Sequence, residues 1–308
     1  MRLLIVPQYP TKMRYQEWWS SEFPKQLSKK FEVKIIGEKY PFSKSITNPE
    51  MFSPISQAID FENYQINEYM NMTLWNDDIL LLNDISFPGL FSNVLYHKKP
   101  KKCYAICHAT SINNLDYFGH VHDSKWLVET GHSKLFNKVF VATDYHKKKL
   151  NKWKNTVVTF LPKHEYTRYN ESKLYDIINV SRPTPQKVDE RLEKIISKRY
   201  SNIVRKTTST WDDYYKFLSQ SKCLFISSKE ETFGYQILDS VYNNCVPIAP
   251  NNFSYPELLP REYLYENDEE AFHKVGNVLS GQLRVPKIIC QEKIDKFYDN
   301  LIGEINAV

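Results

Sequence analysis

The chain has 308 residues, a formal net charge of +5 and 42% hydrophobic residues. That length can bury two ordinary cores, and the composition is that of a globular protein rather than a disordered chain or a small disulfide scaffold. The small positive excess does not by itself indicate nucleic-acid binding. Met1–Pro10 holds too short an apolar run for a signal peptide or a membrane span, so no transmembrane segment is expected. The expected location is the cytoplasm, or the host cytoplasm for a phage-encoded chain. Cysteines 103, 107, 223, 245 and 290 are odd in number, include no Cys-x-x-Cys pair and fall largely in apolar runs. They read as buried reduced thiols.

Arg2–Val6 reads as a first strand and Glu17–Lys30 as a helix that can bury Trp18, Phe23 and Leu27. Val33–Ile36, Asp78–Leu82, Cys103–Cys107, Val139–Ala142 and Val157–Leu161 are further short apolar runs with strand length. A basic helix is expected over Asp144–Trp153, with Tyr145, Leu150 and Trp153 inward and its lysines outward. Strands alternating with helices make a parallel, doubly wound sheet. The pattern restarts after Pro162: a strand at Ile177–Val180, a helix from Gln186 to Arg199, a weak strand at Ile203–Val204, a helix over Asp212–Gln220 and a strand at Cys223–Ile226. The expected organisation is a Rossmann-like domain over 1–162, a second over 163–290, and a last helix, 291–308, that crosses back to the first.

The most informative stretch is Ser227–Pro250, which reads as strand end, acidic turn, Phe-Gly, helix (Thr232–Val241) and strand (Val246–Pro250). In that helix Ile237, Leu238 and Val241 share one face, and Asp239 and Asn243 lie off it. A strand feeding a helix through such a turn is a ligand-binding corner of an open parallel sheet. The helix N-terminus suits a phosphate and the turn carboxylates suit hydroxyls. Together they point to a nucleotide sugar.

Glu231 and Asp239 stand eight apart around Phe233-Gly234, after Asn179-Val-Ser-Arg-Pro-Thr-Pro-Gln-Lys187 and before Ser254-Tyr-Pro-Glu257. These three pieces, in this order, resemble the retaining GT-B glycosyltransferases of family four, whose motif is Glu-x7-Glu; here the second acid is Asp. The resemblance covers mostly residues 175–270. It implies an α/β protein with two Rossmann-like domains facing across a cleft, and an enzyme: a hexosyl- or pentosyltransferase that uses a UDP- or GDP-linked sugar as co-substrate and binds no metal or other cofactor. It implies that Glu231 contacts donor-sugar hydroxyls, Asp239 the ribose, and Arg182 and Lys187 the diphosphate. Thr232, Phe233, Gly234 and Tyr235 would line the donor, and His108, at a strand end, would reach the sugar. Cations at the diphosphate make chemical sense, because negative charge grows on the leaving group in the transition state. Arg205 stands where relatives often carry a glycine-rich turn and is a further donor-side candidate.

On the acceptor side stand Tyr9, Arg14, Asp84, Asn113 and Asp116. Asp84 would be the base of an inverting enzyme; as a turn residue it would have no such role. The first loop, Pro7–Tyr15, has no glycine among the chain's eight. His120-x-His122-Asp123 is too loose for a metal site. Basic stretches at 97–102 and 146–154, with Lys12, Arg14, Trp18 and Trp19 near the first strand, would suit phosphate backbones with base stacking or an anionic membrane surface; lysine runs are also common solvated helix faces. Three readings of the function follow. The sugar goes to a hydroxyl on a modified base in DNA or tRNA; or to a glycan or lipid-linked saccharide at the membrane; or the chain is a degenerate sugar-nucleotide-binding protein without turnover.

Overall fold

The computed structural model describes residues 1–42, 55–85, 89–113, 115, 122–164 and 168–307. Two compact units divide the chain: Met1–Ala142 with Lys147–Phe160 and Lys296–Val308, and Thr143–His146 with Leu161–Asp295.

The first unit is built on six parallel strands in the order β2-β1-β3-β4-β5-β6. They are β1 (Arg2–Val6), β2 (Glu32–Ile35), β3 (Ile79–Leu82), β4 (Lys102–Cys107), β5 (Lys138–Val141) and β6 (Thr156–Val158). The register sets Leu3 beside Ile79, Leu80 beside Cys103 and Ala105 beside Val139. Successive residues point to opposite faces, and both faces of the inner strands β1, β3, β4 and β5 are covered, which is why these are largely apolar runs rather than alternating ones. The edge strand β2, Glu-Val-Lys-Ile, stays partly exposed. One face packs Leu4, Leu80, Cys103, Ala105 and Val139 with Tyr69, Phe91, Trp126 and Trp153. On the other, Tyr104 stacks on Phe140, and Trp19 meets Phe23 and Phe297.

Helices α1 (Tyr15–Leu27), α2 (Ile55–Asn71), α3 (Gly89–His97) and α4 (His122–Ser133) connect these strands, and α5 (Asp144–Lys149) precedes β6. The basic helix stops at Lys149 rather than Trp153, although Leu150 and Trp153 are buried as the pattern predicts. The expected terminal helix is two: α11 (Gln291–Asp295) and α12 (Phe297–Asn306), parted at Lys296. Helix α12 lies in the first unit, where Tyr104 Oη donates to the Ile305 carbonyl at 3.1 Å and Lys138 pairs with Glu304 at 2.6 Å.

The second unit has four parallel strands in the order β10-β9-β8-β7: β7 (Tyr175–Ile178), β8 (Ser221–Phe225), β9 (Val246–Pro250) and β10 (Leu264–Tyr265). Val204 adds a parallel bridge to Ile178, all that forms of the expected Ile203–Val204 strand. Its helices are α6 (Glu190–Arg199), α7 (Trp211–Ser219), α8 (Tyr235–Tyr242), the short α9 (Tyr255–Leu258), α10 (Asp268–Leu279) and α11. Helix α6 starts four residues later than expected because Asp189 is its cap, Oδ1 accepting from Leu192 N at 3.2 Å. Thr210 and Asn267 cap α7 and α10 in the same way. All five cysteines are buried and none forms a disulfide. Among the described residues no helix is long and apolar enough to cross a membrane.

Candidate functional site

In the second unit the chain leaves β7, bridges it on one side through Val204, and returns on the other side as β8. Open parallel sheets bind ligands beyond the carboxyl ends of the strands at such a reversal. The two segments that emerge there, 179–187 after β7 and 226–234 after β8, hold most of the sequence-derived donor residues.

Glu193 of α6, barely exposed, ties these segments together. It accepts hydrogen bonds from Asn179 Nδ2 (2.7 Å), Ser227 Oγ (2.6 Å) and the Arg205 guanidinium (2.7 Å to each oxygen). Arg205 also donates to the Ser181 carbonyl. It therefore balances a buried carboxylate and braces the first segment. Ser181 Oγ reaches Gln236 in the first turn of α8 at 3.0 Å. Periodicity picks out neither Glu193 nor Gln236 as more than helix residues; only the fold sets them beside the loops.

Lys187 Nζ donates to Glu231 Oε2 at 3.0 Å and to the Glu230 carbonyl at 3.1 Å. Both side chains keep some exposure, 20% and 16%, so a ligand can reach the pair. Glu231 Oε1 accepts from Thr232 N at 3.0 Å. Gly234 caps α8 at φ +95°, ψ 55°, a left-handed conformation in which a side chain is strained. That is why α8 begins at Tyr235 and not at Thr232. Tyr255 closes over the turn: a Cβ on Gly234 would stand 3.0 Å from its ring. Ser254 Oγ donates to the Phe233 carbonyl, and Thr143 Oγ1 to that of Thr232. Glu257 accepts from the amides of Asp144 and Tyr145, so it satisfies the start of α5. Arg182 is half-buried on the 179–187 segment.

Asp239 is 7% exposed and accepts from Tyr214 Oη at 3.1 Å. Burial raises the Tyr214 phenol well above its ordinary value, with the Asp239 charge adding to it. Asn243, read as lying off the apolar face, is buried and anchors Tyr169 N and the Asp239 carbonyl. Tyr235 is flanked by Phe233 and His164, with ring centroids at 5.0 and 5.1 Å. Burial lowers the His164 pKa to about 3, so its imidazole is neutral at physiological pH.

In the first unit His108 follows β4 and is 6% exposed, with its ring 4.6 Å from Tyr15 and 4.7 Å from Trp19. Asp84 follows β3 and accepts from Gln8 Nε2 at 2.6 Å. Tyr9 is buried against Phe61, and its hydroxyl faces Gln57. Arg14 precedes α1. Without a glycine, the loop before it places Met13 at φ +59°, and Glu17 Oε2 accepts the Met13 amide. Asn113 accepts from Lys149 Nζ at 2.9 Å; Asp116 lies outside the described residues. The idea of exposed stacking aromatics near the first strand is corrected at Trp18 and Trp19. They are 9% and 1% exposed, because they form the buried side of α1. Lys98 of the basic stretch is spent on the Met70 and Met72 carbonyls at the end of α2. His122 contacts Asp123, His120 lies outside the described residues, and among those described no three His, Cys, Asp or Glu side chains group to hold a metal.

Known structures match this architecture over its whole length. Sucrose-phosphate synthase from Thermosynechococcus elongatus superposes with a TM-score of 0.66 at 9% identity, covering 100% of this chain and 98% of that one. The fold is GT-B. Trehalose-6-phosphate synthase gives a TM-score of 0.63 at 8% identity over 100% and 99% of the two chains. A TarM variant of S. aureus, in complex with fondaparinux, alpha-GlcNAc-glycerol and UDP, gives 0.55 at 16% identity over 79% of this chain and 56% of that one. No family model matches. Among curated proteins, a tRNA-queuosine alpha-mannosyltransferase of Drosophila melanogaster is 30% identical over 115 residues. That match spans 37% of this chain and 29% of the relative, so less than a third of the relative's length is represented.

Proposed function

We propose that this GT-B protein is a retaining glycosyltransferase that moves a hexose or pentose from a nucleotide diphosphate to a hydroxyl on a modified base of tRNA or DNA. The observation that carries the reading is the Lys187–Glu231 pair beside the left-handed Gly234 cap, at the point where the second sheet reverses its strand order. Lys187 and Arg182 are assigned to the diphosphate, Glu231 to the sugar hydroxyls, Asp239 to the ribose and Arg205 to bracing the 179–187 segment. Phe233 and Tyr235 supply the apolar floor. His108, at the end of β4, is the first-unit residue assigned to the sugar. When the diphosphate departs, the charge it gains is met by a cation already held at 3.0 Å from a carboxylate. Lys187 then exchanges one anion for another and needs little reorganisation. The partial likeness to a tRNA-queuosine alpha-mannosyltransferase supports a nucleic-acid acceptor over a glycan or a lipid-linked saccharide.

The test is release of free sugar from a panel of UDP- and GDP-sugars, followed by mass spectrometry of nucleosides from treated tRNA and DNA. Lys187→Ala is expected to lower turnover by about 10²–10³, with the melting temperature little changed. Binding of the donor without turnover on any acceptor would instead identify a non-catalytic sugar-nucleotide-binding protein.

A further inference from the structure

The first sheet also reverses its strand order, between β1 and β3: the chain runs from β1 to β2 on one side and returns to β3 on the other. Beyond those strand ends, Val6, Leu82 and Asp84 line a small hollow that opens to solvent, together with Gln8, Gln16, Glu62 and Gln65. Rings of Tyr9, Phe61 and Phe91 form its apolar wall. Among the described residues no Lys, Arg or His side chain lines it.

The hydrogen-bonding capacity of this hollow is lopsided. Gln8 Nε2 is spent on Asp84, and Gln65 Nε2 on the carbonyls of Pro7 and Ile36. Acceptors are left over. Among the described residues Gln16 Oε1 is buried without a hydrogen-bond partner, and the Glu62 carboxyl has no hydrogen bond or ion pair. Gly89 makes room for it, since a Cβ there would lie 2.8 Å from Glu62 Oε2. Burial alone raises the Glu62 pKa to about 7. Buried acceptors without partners are costly, and a ligand that supplies O–H or N–H groups would relieve that cost. A phosphate, which brings acceptors and negative charge, would add to it.

We propose that this hollow binds the modified base of the acceptor by its hydroxyl- or amine-bearing arm, and that Glu62 is the residue that selects a hydrogen-bond donor there. The assignment deepens the transferase reading above and rests on it for the identity of the ligand. The aromatic wall takes the flat ring, the carboxyls of Glu62 and Asp84 take its donors, and the phosphates stay outside. The shared chemistry is a ring with a donor arm; a protonated amine and a neutral hydroxyl are its two sources.

Calorimetric binding without any sugar donor tests this, using hydroxymethylcytidine, aminomethyluridine, their parents cytidine and uridine, and cytidine monophosphate. Each modified nucleoside is expected to bind about tenfold or more tightly than its parent, with no gain for the monophosphate. Glu62→Leu should erase the preference. Glu62→Gln, which keeps the shape and an acceptor but removes the charge, should erase it for the protonated amine and spare it for the hydroxyl. It carries the test alone if the leucine variant does not fold: unchanged preferences for both ligands would then overturn the proposal. So would equal binding of modified and parent nucleosides, tighter binding of the monophosphate, or no binding by any of the five. Sugar release from donors by the wild type reports the transferase reading separately, so failure of one is not failure of the other.

Discussion

Gly234 shows how much can hang on one atom. At φ +95° the left-handed turn excludes a side chain at little cost to glycine, and the Tyr255 ring fills the space a Cβ would need. Gly234→Ala is therefore expected to destabilise by about 1–3 kcal/mol and to weaken donor binding, read by thermal melting with and without UDP. Glu62 makes the opposite trade, keeping a carboxyl where burial disfavours its charge. Its folded pKa of about 7 lies above the ordinary 4.5, so the folded state holds a proton that the unfolded state has lost between those values. Stability from this group is present below about pH 4.5, declines as pH rises and is lost by about pH 7, a change of about 3 kcal/mol. Among the described residues the other titratable groups lining the hollow are Asp84 and Tyr9. Glu62→Gln should raise the melting temperature at pH 8 and have little effect at pH 4; a pH-independent change would show that burial does not govern this carboxyl.

At the scale of elements, capping and tertiary cover decided what periodicity left open. Helix α6 was expected from Gln186, but Gln186 to Val188 form a turn on the Thr184 carbonyl, and the helix waits for Asp189. This delay is what frees Lys187 to reach Glu231. Asp189→Ala should cost about 1 kcal/mol and also loosen the 179–187 segment, seen as faster amide exchange across it. Helices α2, α3 and α4 were not read from the sequence. Their apolar stripes are interrupted by residues such as Gln65 and Glu129, which are buried for hydrogen bonding rather than for packing. Most strands were legible to within a residue or two, because a strand covered on both faces is an apolar run. Strand β6 ends three residues before the expected Leu161, β7 lies two residues before the expected Ile177–Val180, and the two-residue β10 was not read.

In the whole molecule, each unit carries its own parallel sheet and core, and the chain's last helix belongs to the first unit. Phe297, Leu301 and Ile305 of α12 are fully buried there, each worth roughly 1.5–3 kcal/mol. Ending the chain at Asp295 would expose Trp19 and Phe23, and is expected to lower the melting temperature by more than 10 °C or to give insoluble protein. The sequence by itself determined the parallel α/β architecture, the Ser227–Pro250 corner and the identity of its charged residues, because strand length, helix period and a required glycine are local properties. Only the tertiary structure decided which charges meet. Glu193 became a brace for two loops, Trp18 and Trp19 turned inward, and Glu62 joined Asp84 beside the first sheet's reversal. Such pairings depend on strand order and on burial by segments far away in the chain, which no local pattern records. At the Glu231–Asp239 corner the fold supplies Lys187 and Tyr214 as partners, and the proposed donor site rests on that arrangement.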